Sequence, residues 1–229
     1  MMSQESTPAD PPVDHAILRR QQAHWSHTFV AHPDMYGMEP SAPARAATAL
    51  FQADGVATLL ELGAGQGRDA LFFARQGFRV QALDVAAAAT AAIEVKAAAA
   101  GLAATLTALR HDARELLPFD AGAFDACYAH MLLCMALTTA EIERLVGEVW
   151  RVLRPGGLFV YTVRTTVDAH YGAGIARGDD MYEHGGFIVH FFSRALVERL
   201  AIGWTLLDVT AFEEGELPRR LFRVTMRRG

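Results

Sequence analysis

Short apolar runs alternate with longer stretches of helical spacing over most of the chain. "DHAILRRQQAHWSHTFV" (14–30) predicts an amphipathic helix with Asp14 as N-cap, and Ser41 can cap a short helix through Phe51. "VATLLEL" (56–62) predicts a buried strand, because it is short, apolar and followed at once by glycine. "RDALFFARQG" has helical spacing and reaches a C-cap at Gly77; "FRVQALDV" (78–85) is a second strand; the alanine-rich 86–100 is a helix stopped by Gly101. "ATLTALRHD" and "AFDACYAH" follow as strands, and "TTAEIERLVGEVWRVL" as a helix with Thr138 or Thr139 as N-cap and Glu141 nearby. "RPGG" (154–157) is a hard turn before the strand "GLFVYTVR". A helix from the cap Ser193 to Gly203 precedes two strands, "WTLLDVTAF" and "RLFRVTMRR", joined by the acidic turn "EEGELP". Strands separated by helices predict parallel βαβ units, while the short last connection favours an antiparallel hairpin. The expected fold class is α/β, doubly wound, with a seven-stranded, mostly parallel sheet and a C-terminal antiparallel hairpin.

This pattern leaves residues 1–13 as a polar, Pro-rich tail expected to be disordered, 14–54 as an N-terminal helical cap segment, and 55–229 as the main domain. Within it, "TTVDAHYGAGIARGDDMYEHGGFIVHFF" (165–192) is far longer than a connection needs, and its aromatics argue against disorder. Its glycines offer hinges and its His170, Tyr171, Tyr182 and His184 polar contacts, so it reads as a lid over a substrate pocket, helped by Trp25, Phe29 and Tyr36. Phe191 and Phe192 abut the Ser193 cap and are expected in the core.

The candidate chemistry starts at "LELGAGQGRD" (60–69), where three glycines alternate after the first strand of the alternating region. Ligands of open α/β sheets sit beyond the carboxyl ends of the strands, and free N–H groups at the following helix favour a negative group. A tight turn alone would explain the glycines almost as well. Two acids tip the balance: Asp84 closes the second strand, where it can accept both hydroxyl protons of a ribose, and Asp112 closes the third.

With these features, "LELGAGQGRDALFFARQGFRVQALD" and "EVWRVLRPGGLFVY" strongly resemble the class I S-adenosylmethionine-dependent methyltransferases, from about Gly55 to the C-terminus. The resemblance implies a Rossmann-like sheet and S-adenosyl-L-methionine as cofactor. It assigns the methionine portion to Glu61 and the loop of Gly63, Ala64, Gly65 and Gly67, the ribose to Asp84 beside Val85, and the adenine to Asp112 and the backbone of Ala113. Tyr128, Ala129 and His130 would face the sulfonium and the substrate. "PDMYGMEPS", which carries the further cofactor-binding candidate Tyr36, looks somewhat like small-molecule methyltransferases of the tellurite-resistance and thiopurine type. His130 is the first candidate base, with Tyr128, His170 and Tyr171 as further catalytic candidates; a pocket histidine without proton transfer is the plain alternative.

Composition narrows the partners. The 229 residues carry a net charge of −5, and few basic residues cluster apart from 218–220 and 226–228, where they would decorate the last hairpin, so nucleic acid is not expected. No apolar run reaches membrane length. Lys96 is the sole lysine, which removes a P-loop lysine. Cys127 and Cys134 fit reduced, buried thiols in a cytoplasmic protein rather than a zinc or disulfide framework. The histidines of 165–192 with Asp179 and Asp180 match no defined ligand spacing, so no metal is expected. The Asp/Asn-Pro-Pro-Tyr/Phe signature of base and glutamine N-methyltransferases is absent, "AHML" standing in its place. The expected partner is a small-molecule substrate, the chain being a monomer or homodimer. Two other readings remain open: a non-catalytic S-adenosylmethionine sensor, and an NAD-binding oxidoreductase, against which Arg68 stands where a dinucleotide fingerprint wants glycine.

Overall fold

The computed structural model describes residues 11–215 and 219–229. The expected tail falls outside them up to residue 10, as do residues 216–218 of the acidic turn.

Polar caps set the first helices. The Asp14 carboxylate accepts N–H bonds from Ala16 and Ile17 to start α1 (His15–Ala31), and Ser41 Oγ accepts from Ala44 to start α2 (Ala42–Ala53). The alternating region follows as β1 (Thr58–Leu62), α3 (Arg68–Arg75), β2 (Arg79–Asp84), α4 (Ala87–Ala99), β3 (Leu106–Arg110), β4 (Phe124–His130), α5 (Thr139–Val152) and β5 (Leu153–Arg164). Thr138 and Glu141 close a reciprocal capping box on α5. After β6 (Ile175–Gly178), β7 (Met181–His184) and β8 (Phe187–His190) come α6 (Arg194–Leu200), β9 (Trp204–Glu214) and β10 (Arg219–Arg228).

The main sheet has the order β3-β2-β1-β4-β5-β10-β9; its first five strands are parallel, and β10 runs antiparallel to both β5 and β9. The order reverses between β1 and β4, which opens a crevice beyond their carboxyl ends. One face of the sheet is covered by a core that includes Leu145 and Val149 of α5 and Val197 of α6; the other packs Phe51, Phe73 and Ile93 of α2, α3 and α4.

Two expectations change. "RPGG" belongs to β5, which starts at Leu153 and shifts register opposite Phe124 and Ala126. A Cβ at Gly157 would lie 2.8 Å from the Arg154 carbonyl oxygen and 2.9 Å from that of Asp125, so only glycine lets the strand pass there. β3 ends at Arg110, so Asp112 sits in the turn beyond it rather than at its last position.

The connection at 165–192 contains a second antiparallel sheet, β6-β7-β8, instead of an irregular loop. Both hairpins turn on two residues of positive φ: Asp179 and Asp180 at 55° each, Gly185 and Gly186 at 59° and 83°. That is the backbone hand which matches strand twist in two-residue turns. Leu18 of α1 packs with Met181 and Ile188, and the Gln21 amide donates to the Gly186 carbonyl at 2.9 Å and accepts from Ile188 N–H at 3.3 Å. The small sheet and α1 thus form one roof.

Candidate active site

The roof covers a cavity of about 770 Å³ that opens on the carboxyl ends of β1, β2, β3 and β4. Its floor is the glycine turn. Gly63, Gly65 and Gly67 all have positive φ, and Gly67 forms the left-handed N-cap of α3. A Cβ on Gly67 would fall 2.7 Å from Ile93, whereas one on Gly65 would meet only the Phe29 ring at 3.5 Å. Gly67 is therefore a packing glycine, and Gly65 presents bare backbone to the cavity.

Glu61 and Asp84 flank that turn, both buried. Burial, helped by the neighbouring Asp69 charge, pushes the Glu61 carboxyl well above its ordinary range, and its Oε2 has no hydrogen-bond partner. An orphaned buried acceptor in a cavity is costly unless a donor arrives there. Asp84 is also raised by burial, partly offset by N–H groups of Ala86 and Gly65 that bind its carboxylate. Asp112 and Ala113 line the adenine end expected for them, with Asp112 Oδ1 accepting from the backbone and guanidinium of Arg114. Val85, Ala64, Gly63 and Tyr36 line the same cavity, and the Arg68 guanidinium lies 5.7 Å from the Tyr36 ring centre. His111, not singled out by sequence, adds another buried unpartnered atom, Nε2, just past β3.

Across the cavity, the alternation of β4 sends His130 to the lining. Its Nδ1 lies 2.8 Å from Thr162 Oγ1 and its Nε2 3.7 Å from Glu214 Oε1. Burial pushes the His130 pKa below its usual value, against the opposing pull of Glu214 and Asp69. His170 also lines the cavity, stacked on His184 with ring centres 4.9 Å apart.

Three expectations fail on placement. Tyr128 is fully buried away from the lining: its hydroxyl shares Ser41 Oγ, at 3.2 Å, with the Asp69 carboxylate, and its ring packs edge-on against Phe73. Ala129 is buried in the α5-side core. Tyr171 bonds Asp180 at 2.7 Å and packs on Tyr182 and Phe191, outside the lining. Phe192 is a core residue as expected, while Phe191 is buried and lines the cavity. His190 stands apart from the His170–His184 pair, bonding the Leu137 carbonyl at 2.7 Å, and Asp179 holds Thr139 at the start of α5.

Sequence reading missed Glu214, Arg219 and Arg164. The first two reach the cavity from the β9–β10 hairpin, so Arg219 does more than decorate it. Arg164 ends β5 against buried Asp168, with its guanidinium 5.3 Å from the Phe191 ring. A signal existed for the small sheet, since Gly-Gly between alternating residues marks a hairpin.

Residues 59–157 match the family described as methyltransferase domain. A 43-residue stretch is 49% identical to squalene methyltransferase 2 of Botryococcus braunii; it covers 19% of this chain and 11% of that protein's length. The chain is similar in structure to the 1,6-didemethyltoxoflavin N1-methyltransferase of Burkholderia thailandensis, solved with 1,6-didemethyltoxoflavin and S-adenosylhomocysteine. That likeness has TM-score 0.75 and 20% identity over 97% of this chain and 94% of that one. It is also similar to the N-methyltransferase NodS of Bradyrhizobium japonicum, solved with S-adenosylhomocysteine, at TM-score 0.68 and 13% identity over 90% and 98% of the two chains. Residues 59–157 therefore read as a methyltransferase domain, set in a fold shared with S-adenosylmethionine-dependent methyltransferases. The dinucleotide reading is thereby set aside. Among the described residues, no helix is long and apolar enough to cross a membrane.

Proposed function

We propose that this chain transfers a methyl group from S-adenosylmethionine to a small-molecule acceptor, with the β6–β8 sheet acting as its lid. The observation that carries this reading is that one cavity holds both the glycine turn, with the unpartnered Glu61 oxygen, and the His130 edge under the roof. A fold by itself does not give an activity; the site has to.

The residues present fit the cofactor. Glu61 Oε2 is free to accept from the ammonium of the methionine portion, and Gly65 lets the chain pass close beside it. The Asp84 oxygens keep lone pairs beyond those used by Gly65 and Ala86, which suits two ribose hydroxyls. Asp112, Ala113 and His111 would border the adenine. When bound, S-adenosylmethionine supplies a methyl group on a positively charged sulfur, and the cofactor carries the hard chemistry. The chain's own task is alignment and exclusion of water; holding a nucleophile in line at about 3 Å lowers the barrier by up to ~7–11 kcal/mol. One structural relative is solved with the small molecule 1,6-didemethyltoxoflavin beside S-adenosylhomocysteine, which supports the acceptor class.

The test is production of S-adenosylhomocysteine when the full chain is incubated with S-adenosylmethionine and a metabolite extract. Cofactor binding with no product at any extract concentration would make the chain a sensor instead.

A further inference from the structure

The acceptor half of the cavity has a consistent chemistry. In the small sheet, Tyr182 pairs with Val189 and His184 with Phe187, so these four share one face, and all four line the cavity. Met181 and Ile188 take the other face, against Leu18. Trp25 of α1 continues the aromatic wall, 5.0 Å from the Phe187 ring centre. Flat rings pack against such walls by offset and edge contacts, which an aliphatic chain does not exploit. A cationic guest, which aromatic walls also attract, meets Arg164 and Arg219 in the same lining.

The polar groups at the edge of this wall are of two kinds. A guanidinium only donates, so Arg164 Nη2 donates to His170 Nδ1 at 3.0 Å, and the neutral His170 ring carries its proton on Nε2 as a donor. His130 is placed differently. Thr162 Oγ1 can accept from its Nδ1, and Glu214 faces its Nε2, so a protonated ring finds an acceptor beside each nitrogen. The charged groups acting on it are Glu214 and Asp69, which favour the imidazolium, and Arg68 and Arg219, which oppose it.

We propose that the acceptor is a flat aromatic or heteroaromatic molecule whose nucleophilic nitrogen or oxygen arrives protonated, and that His130, set between Thr162 and Glu214, takes that proton. The inference rests on the methyltransferase reading above. In the step, the nucleophile's lone pair forms the bond to the methyl carbon while the carbon–sulfur pair returns to sulfur, giving a neutral thioether. The N–H or O–H proton passes to His130 Nε2 and from the imidazolium to solvent. Glu214 is a positioning residue that stabilises the charged ring.

The experiment uses calorimetry on the full chain loaded with S-adenosylhomocysteine, and turnover with S-adenosylmethionine. The probes are 7-hydroxycoumarin and benzotriazole, with ethanolamine and 2-mercaptoethanol as aliphatic comparators. The expected result is binding and methylation of an aromatic probe and of neither comparator. H130Q keeps cofactor affinity and loses about 100-fold or more in kcat, within the range of general-base effects. E214Q moves the acid limb of the kcat profile to lower pH, which a merely structural role would not do. Comparators bound or methylated as well as the aromatics, no aromatic probe bound by the loaded chain, or H130Q at wild-type rate would each overturn the inference while leaving methyl transfer intact. Failure of the chain to bind S-adenosylhomocysteine would instead remove the reading beneath it.

Discussion

Asp84 holds Gly65 by its backbone: Oδ2 accepts the Gly65 N–H at 2.8 Å, while Oδ1 accepts that of Ala86 at 2.9 Å. One carboxylate therefore ties the turn after β1 to the turn after β2. Asp84→Ala should remove both the ribose partner and the brace of the glycine turn. The expected outcome is a loss of more than about tenfold in S-adenosylhomocysteine affinity by calorimetry, as charge-assisted bonds of ~1.5–3 kcal/mol imply.

Glu61 should show a trade of stability for binding. Its folded pKa is raised, so ionisation of the carboxyl works against the empty fold above its unfolded pKa, and the penalty fades as pH falls from the folded value toward the unfolded one. Glu61→Gln is expected to raise the melting temperature of the ligand-free chain at pH 7 by a few degrees and to weaken cofactor binding about tenfold or more. A variant with both values unchanged would show that the orphaned oxygen has no role.

Asp168 has the opposite sign. Burial alone would raise its pKa, but the Arg164 guanidinium and the N–H groups of His170 and Arg220 outweigh it and hold the carboxyl below 3.8. Its contribution is complete above the unfolded value and is lost as pH falls below about 3.8 toward the folded pKa. Asp168→Asn should thus be less stable at pH 7, with a shallower acid limb below pH 4, in urea titrations across pH.

Asp179 links the roof to the body, since its carboxylate accepts from both the backbone and the hydroxyl of Thr139 at the start of α5. Asp179→Gly keeps the positive φ available and removes that link. The acceptor KM should rise several-fold, with stability lower by roughly 0.5–2 kcal/mol, the range for a lost cap. S-adenosylhomocysteine affinity should move by less than about threefold.

Tyr128→Phe tests the corrected assignment. The hydroxyl bonds Ser41 and lies away from the cavity. The change should cost about 1 kcal/mol in unfolding free energy and leave kcat within about threefold of wild type.

The sequence carried the frame because its signals were local. Asp14, Ser41 and Thr138 cap helices where expected, and the three glycines need the positive φ that they have. Tyr128 was misjudged because its partner comes from far along the chain: Ser41, itself bonded to Asp69, meets its hydroxyl only once α2 packs on α3 and β4. Glu214 and Arg219 look like solvated hairpin residues until the hairpin reaches over the carboxyl edge. The small sheet hid behind glycines and histidines that blur a period-two pattern. Even so, Gly185-Gly186 was a readable turn, and Asp179-Asp180 at positive φ was its less obvious twin.

Gln66, inside the glycine turn, sends its amide back to the carbonyls of Phe29 and His32 at the far end of α1, while Lys96 grips the Gln66 carbonyl and stands 3.8 Å from Asp34. The N-terminal helix is thus stapled to the glycine turn as well as laid over the cavity. A shortened chain beginning at α2 would forfeit a strut beneath and a ceiling above in one cut.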